Sequence, residues 1–339
     1  MKSARKTLEN AWYGSNPVVW LLLPLSWLFC LLSIMRRRAY RLGLKKSFKA
    51  EVPLIVVGNI VAGGSGKTPL LIALCEYLLA RGFRPGVVSR GYGGSFDGIR
   101  QLGENDPAAL VGDEPSMIVS RTGVPLVVGA DRVAAVDYLL ASNDCDIVLS
   151  DDGLQHYRMQ RSLEIAVIDA ERGLGNGFCL PAGPLRERKS RLQEVDIVVY
   201  NGGSTAAVTD GQCSYQLKIV EISRLDGSEQ MSLESFASRY SADTIHAVAG
   251  IGNPSRFFSQ MKGTGLTLIE HGFPDHHHYR QDDFSGWQHD TIIMTEKDAV
   301  KCHRLDLSDS WQVTVQAAMS ATLCAKLDTL LLPLMSKQD

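Results

Sequence analysis

The sequence has no C-x-x-C pair among its seven cysteines, which stand at positions 30, 75, 145, 179, 213, 302 and 324. An odd, scattered set favours neither a disulfide framework nor a cysteine zinc site, so a reducing compartment is expected. Internal repeats and low-complexity segments are also missing. The 339 residues, 45% hydrophobic and 21% charged, have the proportions of a folded chain long enough for two domains.

Acidic residues are almost absent from the first 50 positions. That arm contains ten Lys or Arg and only Glu9, a formal charge of +9, whereas the whole chain carries −2, so −2 − 9 leaves −11 for the rest. A basic arm on an acidic body requires an anionic partner. The apolar content of the arm favours membrane lipids, and no nucleic-acid partner is expected.

Charge of either sign is missing from Val18 to Met35, an 18-residue stretch that Arg36 to Arg38 follow at once. The length is short for a spanning helix, and Pro24 would kink it. A cleaved signal peptide and a hairpin of buried core helices are alternatives. Trp20, Trp27 and the cations favour a membrane anchor that either spans the bilayer or lies in its interface, with the body on the cytoplasmic side.

The most informative segment is LIVVGNIVAGGSGKT at residues 54–68. It reads as a buried strand, a glycine-rich turn and the start of a helix, which is the context of a phosphate-binding loop. Lys67 would reach the β- and γ-phosphates, and the Thr68 hydroxyl would bind Mg²⁺. Val61 stands where the full pattern has its first glycine. The nucleotide site is expected to comprise Val61, Ala62, Gly63, Gly64, Ser65, Gly66, Lys67 and Thr68.

Carboxylates and arginines follow other predicted strands. Asp151 and Asp152 end an apolar strand, where a P-loop protein holds Mg²⁺ directly or through water. Asp113 and Glu114 stand at a loop–helix junction, and an ordinary helix start explains them equally well. Loops carrying Arg90 (SRGYGG) and the PAGPLRER arginines offer guanidinium groups to a phosphorylated or sugar substrate.

Two further motifs resemble known sites, a metal cluster and a guanine-reading pattern, but their spacing does not support either one. The histidines of DHHHY (275–279) are consecutive, and adjacent side chains diverge, so a tunable base or a substrate contact is favoured over a metal cluster. In TEKD (295–298) the Lys and Asp are adjacent rather than two apart, so the guanine-reading pattern is not matched. GTP specificity is therefore not supported.

Strand-like and helix-like segments alternate along the chain, which predicts parallel βαβ units. The expected fold is a P-loop NTPase-like α/β domain with a mostly parallel sheet at residues 51–205, after an N-terminal membrane-associating helix within residues 1–50. The small polar run 202–213 reads as a linker. A second, smaller α/β domain is expected at residues 206–339, closing over the active site.

Taken together, these motifs resemble the tetraacyldisaccharide 4′-kinases, the lipid A 4′-kinases of Gram-negative bacteria. The matching elements, in order from about residue 15 to 301, are the apolar arm with its arginines, VGNIVAGGSGKTP, SRGYGG, GDEP, DDGLQH, PAGPLRE, AGIGNPSRFF, FPDHHHY and TEKDAVK. The resemblance implies transfer of the γ-phosphoryl group of ATP to the 4′-hydroxyl of a tetraacylated glucosamine disaccharide 1-phosphate, a glycolipid at the cytoplasmic face of the inner membrane.

The resemblance also implies roles for individual residues. Lys67 and Thr68 would bind the phosphates and Mg²⁺, with Asp151 and Asp152 in the Walker B position. The expected metal residues are Thr68, Glu114, Asp151 and Asp152, and the expected catalytic residues are Asp113, His276, Lys67, Arg90 and Arg186. Asp113, assisted by His276, would receive the hydroxyl proton, and the two arginines would neutralise phosphate charge.

Two other classes remain open from the residues themselves. A membrane-attached P-loop ATPase or GTPase could use hydrolysis to drive a partner protein, and it would lack an acceptor pocket. A nucleotide-binding interaction module would have no need of the complete metal set that Lys67, Thr68, Asp151 and Asp152 provide.

Overall fold

The computed structural model describes residues 11–14, 16–103, 106–202 and 211–335. In chain order, the first half contains α1 (Val18–Arg41), β1 (Leu54–Gly58), α2 (Lys67–Leu79), β2 (Pro85–Ser89), β3 (Ile99–Gln101), α3 (Ala108–Val111), α4 (Asp113–Thr122), β4 (Leu126–Gly129), α5 (Arg132–Ser142), β5 (Ile147–Asp151), β6 (Leu163–Asp169), a 3₁₀ turn (Lys189–Gln193) and β7 (Ile197–Asn201). The second half contains β8 (Ser214–Arg224), β9 (Gln230–Met231), α6 (Leu233–Arg239), β10 (Thr244–Ala249), α7 (Pro254–Lys262), β11 (Thr267–Gly272), a 3₁₀ turn (Gln281–Phe284), β12 (Thr291–Thr295), α8 (Glu296–Cys302), β13 (Asp309–Met319) and α9 (Ala321–Met335).

Within the described residues, thirteen strands form one sheet in the order β11-β10-β12-β13-β8-β7-β6-β1-β5-β2-β4-β3, with β9 paired to β8. Only the β3–β4, β13–β8 and β8–β9 pairs are antiparallel. The predicted mostly parallel α/β fold is therefore confirmed. The two halves of the sheet join where β7 and β8 pair through two residues on each strand.

The first half is packed on both faces of its sheet. In β1, Ile55 and Val57 pack beneath α2, whereas Leu54 and Val56 pack on the opposite face with α5 residues. A strand buried on both faces is apolar throughout, as the continuous run at 54–57 predicts. This double cover fixes the strand end from which the glycine loop leaves.

The chain returns to its first half at its end. Leu323, Leu327 and Leu331 of α9 are buried in the cluster that contains the β1 and α2 side chains. The hydroxyl of Tyr77 in α2 donates to Asp328 of α9 at 2.7 Å. Residues 203–210, which hold most of the predicted linker and the predicted domain boundary, lie outside the described residues, so the division at 205/206 stays a prediction.

Helix α1 packs against the rest of the protein through one narrow face. Val19, Leu23, Ser26 and Cys30 are buried at helical spacing, and the Ser26 hydroxyl donates to the Cys179 carbonyl at 2.7 Å. The other faces expose large apolar side chains: Trp20, Leu21, Leu25, Trp27, Leu28, Phe29, Leu31, Leu32 and Met35. Among the described residues, one helix is long and apolar enough to cross a membrane, and it is this one.

Candidate active site

The glycine loop is held in shape by side chains from three strand ends. Asn59 donates to the Gly63 carbonyl and to the Ser65 hydroxyl, at 3.2 and 3.0 Å. Asn201, at the end of β7, donates to the Ser65 carbonyl at 3.1 Å, and Tyr215 of β8 donates to the Gly66 carbonyl at 2.5 Å. The loop shape is therefore set by the scaffold before a phosphate arrives.

Gly66 must be a glycine for two reasons. Its φ of 79° is left-handed, and a Cβ there would stand 2.2 Å from Asn201 Nδ2. Gly66 directly precedes the first residue of α2, Lys67, so the helix N-terminus opens onto the loop. Backbone N–H groups at such an end favour an anion.

Val61, which stands where the full P-loop pattern has its first glycine, is part of a short strand pairing. It is buried and pairs with Leu185 as a short antiparallel bridge, and the next residue, Ala62, donates its N–H to the Pro184 carbonyl at 2.7 Å. The entry to the loop is thus extended backbone paired with the PAGPLRER segment. Extended backbone suits valine and needs no glycine.

Lys67, Asp152 and Arg186 form a charged group at the loop. Lys67 Nζ lies 3.4 Å from Asp152 Oδ1, and Arg186 Nη1 lies 2.8 Å from Asp152 Oδ2. Burial acts to raise the pKa of Asp152, but the two cations overcome this and hold it well below its usual range. A fixed anion therefore keeps both cations at the phosphate site.

Asp151 is buried and carries an unpaired atom. Ser89 donates to its Oδ2 at 2.9 Å, while its Oδ1 is buried without a hydrogen-bond partner among the described residues. Burial, with repulsion from Glu114, raises the pKa of Asp151 to about 6. A buried carboxylate oxygen without a partner is costly unless a cation or water satisfies it.

Asp113 and His276 come together across the sheet halves. His276 Nδ1 lies 3.1 Å from each carboxylate oxygen of Asp113, which is the buried first residue of α4. Burial acts to raise the Asp113 pKa, but His276 and nearby Lys297 and Lys301 lower it to about 2. His276 itself has a left-handed φ of 59°. Strained backbone at such a contact is typical of functional sites.

The structure gives Lys297 and Asp275 contacts in the site that the sequence analysis did not predict. Lys297 of α8 bridges Glu114 at 2.9 Å and Asp275 at 3.0 Å, and it stands 3.8 Å from Asp113. These three carboxylates raise the pKa of Lys297 against the effect of its burial. The TEKDAVK segment was the part of the sequence that could have indicated Lys297, but its residues do not match the guanine-reading pattern and show no other spacing typical of a site.

Arg90 makes no ion pair with another described residue. It lines a cavity of about 290 Å³ with the glycine loop 91–94 and the end of β4. Tyr92 from the same loop packs edge-on to the His276 ring, 5.0 Å between centroids. The structure thus brings together all the predicted site residues near the P-loop and the Asp113–His276 pair, with Arg90 on the adjoining cavity.

The next histidine of DHHHY, His277, contacts a different carboxylate. His277 Nε2 lies 3.0 Å from Asp283, and Tyr279 donates to the buried Asp298 at 3.0 Å. The side chains diverge, as consecutive residues must in most backbone conformations. No group of three His, Cys, Asp or Glu side chains suited to a metal occurs among the described residues.

Comparison with known proteins identifies the family. The model of the family described as Tetraacyldisaccharide-1-P 4'-kinase matches residues 18–332. The chain belongs to this family. It is 45% identical, over 99% of both chains, to the Tetraacyldisaccharide 4'-kinase of Methylobacillus flagellatus. It is also 44% identical, over 98% of both chains, to that of Hahella chejuensis.

A solved member of the kinase family has the same architecture. The crystal structure of LpxK from Aquifex aeolicus in complex with ATP superposes with a TM-score of 0.78, is 25% identical in sequence, and covers 94% of this chain and 99% of its own. The family resemblance seen in the sequence is confirmed, and so is a kinase fold of the P-loop type.

Proposed function

We propose that this kinase transfers the γ-phosphoryl group of ATP to the 4′-hydroxyl of a tetraacylated glucosamine disaccharide 1-phosphate at the cytoplasmic face of the inner membrane. The observation that supports it best is the contact of Asp113 with His276, from opposite halves of the sheet, beside a complete phosphate-binding loop. Such a pair can take the proton of an attacking hydroxyl, and the family match favours a sugar hydroxyl over water as that group.

The phosphate groups of ATP would lie on the N–H groups of residues 63–67, with Lys67 and Arg186 neutralising their charge. Arg90 would act from the adjoining cavity on the acceptor side. Lys67 leaves Asp152 for the phosphates with little rearrangement, since it is already held at the loop. Preorganised charge of this kind is the main contribution a protein makes to phosphoryl transfer.

Mg²⁺ would complete this site, although the carboxylates of the described residues do not form a ready-made three-carboxylate metal group. The donors would be Thr68, Asp151, Asp152 and Glu114, an all-oxygen set of the kind that Mg²⁺ prefers. The unpaired, buried Oδ1 of Asp151 is the structural sign that a cation or its water belongs there. When bound, Mg²⁺ supplies charge neutralisation on the β- and γ-phosphates.

The Asp113–His276 pair would accept the proton. The 4′-oxygen attacks the γ-phosphorus, the bond to the β–γ bridging oxygen breaks, ADP leaves, and the hydroxyl proton passes to Asp113 as the new P–O bond forms. A carboxylate with a pKa of about 2 retains a proton weakly. His276, in contact with both its oxygens, would share that proton, so the two residues act as one acceptor.

The exposed apolar faces of α1 would be buried in the membrane. The helix keeps one face on the body through Leu23, Ser26 and Cys30, so it fits a helix lying in the interface better than one crossing the bilayer alone. The flanking arginines would contact acidic head groups on the cytoplasmic side, where ATP is available.

The test is phosphoryl transfer with the full-length chain in detergent–lipid micelles, γ-labelled ATP and a membrane lipid extract. A labelled glycolipid with the phosphate at the 4′-position is expected, and Lys67→Ala and Thr68→Ala should abolish it with unchanged circular dichroism. Label found only as inorganic phosphate, at a rate independent of lipid, would instead support the ATPase reading. Near-normal transfer by Lys67→Ala would refute the proposed site.

A further inference from the structure

A second cavity lies away from the phosphate loop, where the C-terminal end of α1 meets the 3₁₀ turn Lys189–Gln193. It has a volume of about 220 Å³. Five arginines and two glutamates line it, which leaves a formal charge of +3. The arginines come from two separate segments, 37–41 and 188–191, so the charge is concentrated by the fold and not only by the sequence.

Only part of this charge is neutralised internally. Arg191 is buried and pairs with Glu164 at 2.5 Å and with Glu187 at 3.5 Å. Glu194 serves two arginines at once, Arg37 and Arg41. Its single charge therefore leaves an excess positive charge inside the cavity.

The other two arginines have no carboxylate partner among the described residues. Within the described part of the chain, Arg38 has no ion pair, and Arg188 contacts the sulfur of Cys30 at 3.0 Å rather than an acid. Burial and the neighbouring Arg191 and Arg41 lower the pKa of Arg37. Arg37, Arg41 and Arg191 share the carboxylates of Glu164, Glu187 and Glu194, so Arg38 and Arg188 are left as the cations available to an external anion.

The position of the cavity identifies the kind of anion. Its lining begins at Ser33 and Ile34, beside Met35, the last of the exposed large apolar residues of α1. An anion here lies at the level where an interfacial helix meets lipid head groups. Guanidinium groups bind phosphate oxygens through paired hydrogen bonds, and phosphate is the anionic group that phospholipid head groups present at this level.

We propose that this cavity is a binding site for a lipid-borne phosphate group, with Arg38 and Arg188 as its principal ligands. The inference rests on the proposed membrane function of α1. The phosphate belongs to an anionic phospholipid of the membrane or to the 1-phosphate of the acceptor, since both present the same chemistry at the same depth.

The first arm of the test measures binding of the full-length chain to phosphatidylcholine vesicles containing phosphatidic acid. Arg38→Gln/Arg188→Gln should weaken binding about tenfold more than Lys45→Gln/Lys46→Gln, because both double variants lose the same general attraction to the surface and only the first also loses direct contacts with the phosphate. Lys45 and Lys46 lie on the same arm, are exposed and give the same change in net charge.

The chemical specificity is tested with vesicles that carry a fatty-acid carboxylate at equal surface charge. The wild-type chain should prefer the phosphate vesicles, and the cavity variant should lose that preference. The proposal would be overturned if the arginine double variant and the lysine double variant lost equal binding affinity, or if the wild-type chain showed no preference for phosphate. Either result would leave only general electrostatic attraction.

The second arm identifies the source of the phosphate. Kinase assays in neutral detergent without phospholipid give kcat and KM for the acceptor. A raised acceptor KM in the cavity variant, at unchanged kcat, assigns the site to the acceptor's 1-phosphate, whereas an unchanged KM with weakened vesicle binding assigns it to the membrane. If the wild-type chain phosphorylates no lipid at all, the proposed function fails, but the vesicle comparison still decides whether the cavity binds phosphate.

Discussion

At the scale of single residues, the site is organised by carboxylates in different charge environments. Asp113 and Asp152 each lie beside two or more cationic side chains, which lower their pKa values despite burial. Asp151 has a buried, unpaired oxygen and an acidic neighbour, and its pKa is raised. One small region therefore contains carboxylates in three different surroundings: Asp151 with a buried oxygen that has no partner among the described residues, Asp152 paired with Lys67, and Asp113 in contact with His276.

The Asp113–His276 contact leads to the first prediction. Asp113→Asn and His276→Asn should each lower kcat by about 10²- to 10⁴-fold, because general base catalysis contributes on that scale. Asparagine tolerates the left-handed backbone of residue 276, so the fold should be kept. The KM for ATP should change little.

The double variant decides whether the two residues act together. Its loss in kcat should be far smaller than the product of the single losses, as for groups that work as a unit. Steady-state kinetics of the four proteins gives the comparison. If the loss in the double variant equals the product of the single losses, or if the changes fall mainly on the KM for ATP, Asp113 would instead belong with the residues around the metal.

The raised pKa of Asp151 predicts a pH-dependent stability in the absence of Mg²⁺. An unfolded Asp titrates near pH 3.9, so between about pH 4 and 6 the folded state holds more protons, and the free energy of unfolding falls as pH rises. Asp151→Asn removes this loss. Its stability relative to wild type should increase by about 2–3 kcal/mol from pH 4 to pH 7.

Urea unfolding across that pH range, with a chelator present, measures the difference. Asp97→Asn, which changes an exposed carboxylate, is the control and should show no such trend. A constant difference between Asp151→Asn and wild type at all pH values would show that the buried carboxyl does not titrate as described.

At the scale of elements, α1 has one buried face that packs on the body and exposed apolar faces that are proposed to contact the membrane. Replacing Trp27, Leu28 and Leu31 by Gln should weaken vesicle binding at least tenfold with no change in Tm, since burying each side chain in lipid contributes about 1.5–3 kcal/mol. Leu23→Ala, on the buried face, should instead lower Tm. Vesicle sedimentation and thermal unfolding of both variants test which face packs on the protein. The assignment is wrong if the triple variant lowers Tm and Leu23→Ala instead weakens vesicle binding.

Elements whose signal is local could be predicted from the sequence. The 54–57 run, the glycines and GKT gave the strand, loop and helix of the P-loop. The β13 strand was missed, although Trp311, Val313, Val315 and Ala317 alternate along it. Helix α9 was missed too, although its buried leucines repeat every four residues. Both segments had a periodicity that identifies them.

The contacts within the site could not come from periodicity. His276 and Lys297 meet α4 only because β10, β11 and β12 carry their loops to it, more than 150 residues along the chain from Asp113. Pairing at such a separation leaves no pattern in one sequence. Asp113 with His276 was expected only from the family resemblance, and the bridging role of Lys297 was not expected at all.

At the scale of the whole molecule, the end of the chain stabilises its beginning. Leu327 of α9 is buried in the core beneath the P-loop helix, whereas Leu332 on the same helix is exposed. Leu327→Ala should lower the free energy of unfolding by about 2–5 kcal/mol, and Leu332→Ala should change it by less than about 0.5 kcal/mol. Chemical denaturation measures both. Similar effects of the two variants would mean that α9 is not part of that core.

The packing of α1 against the body has a kinetic consequence. If the helix lies in the membrane as proposed, it fixes the catalytic groups at one height above the lipid surface, and enzyme and acceptor meet by lateral diffusion in two dimensions. Turnover would then follow the mole fraction of acceptor among the lipids and not its amount per volume. Adding inert neutral lipid at constant acceptor would slow the reaction although no inhibitor is present.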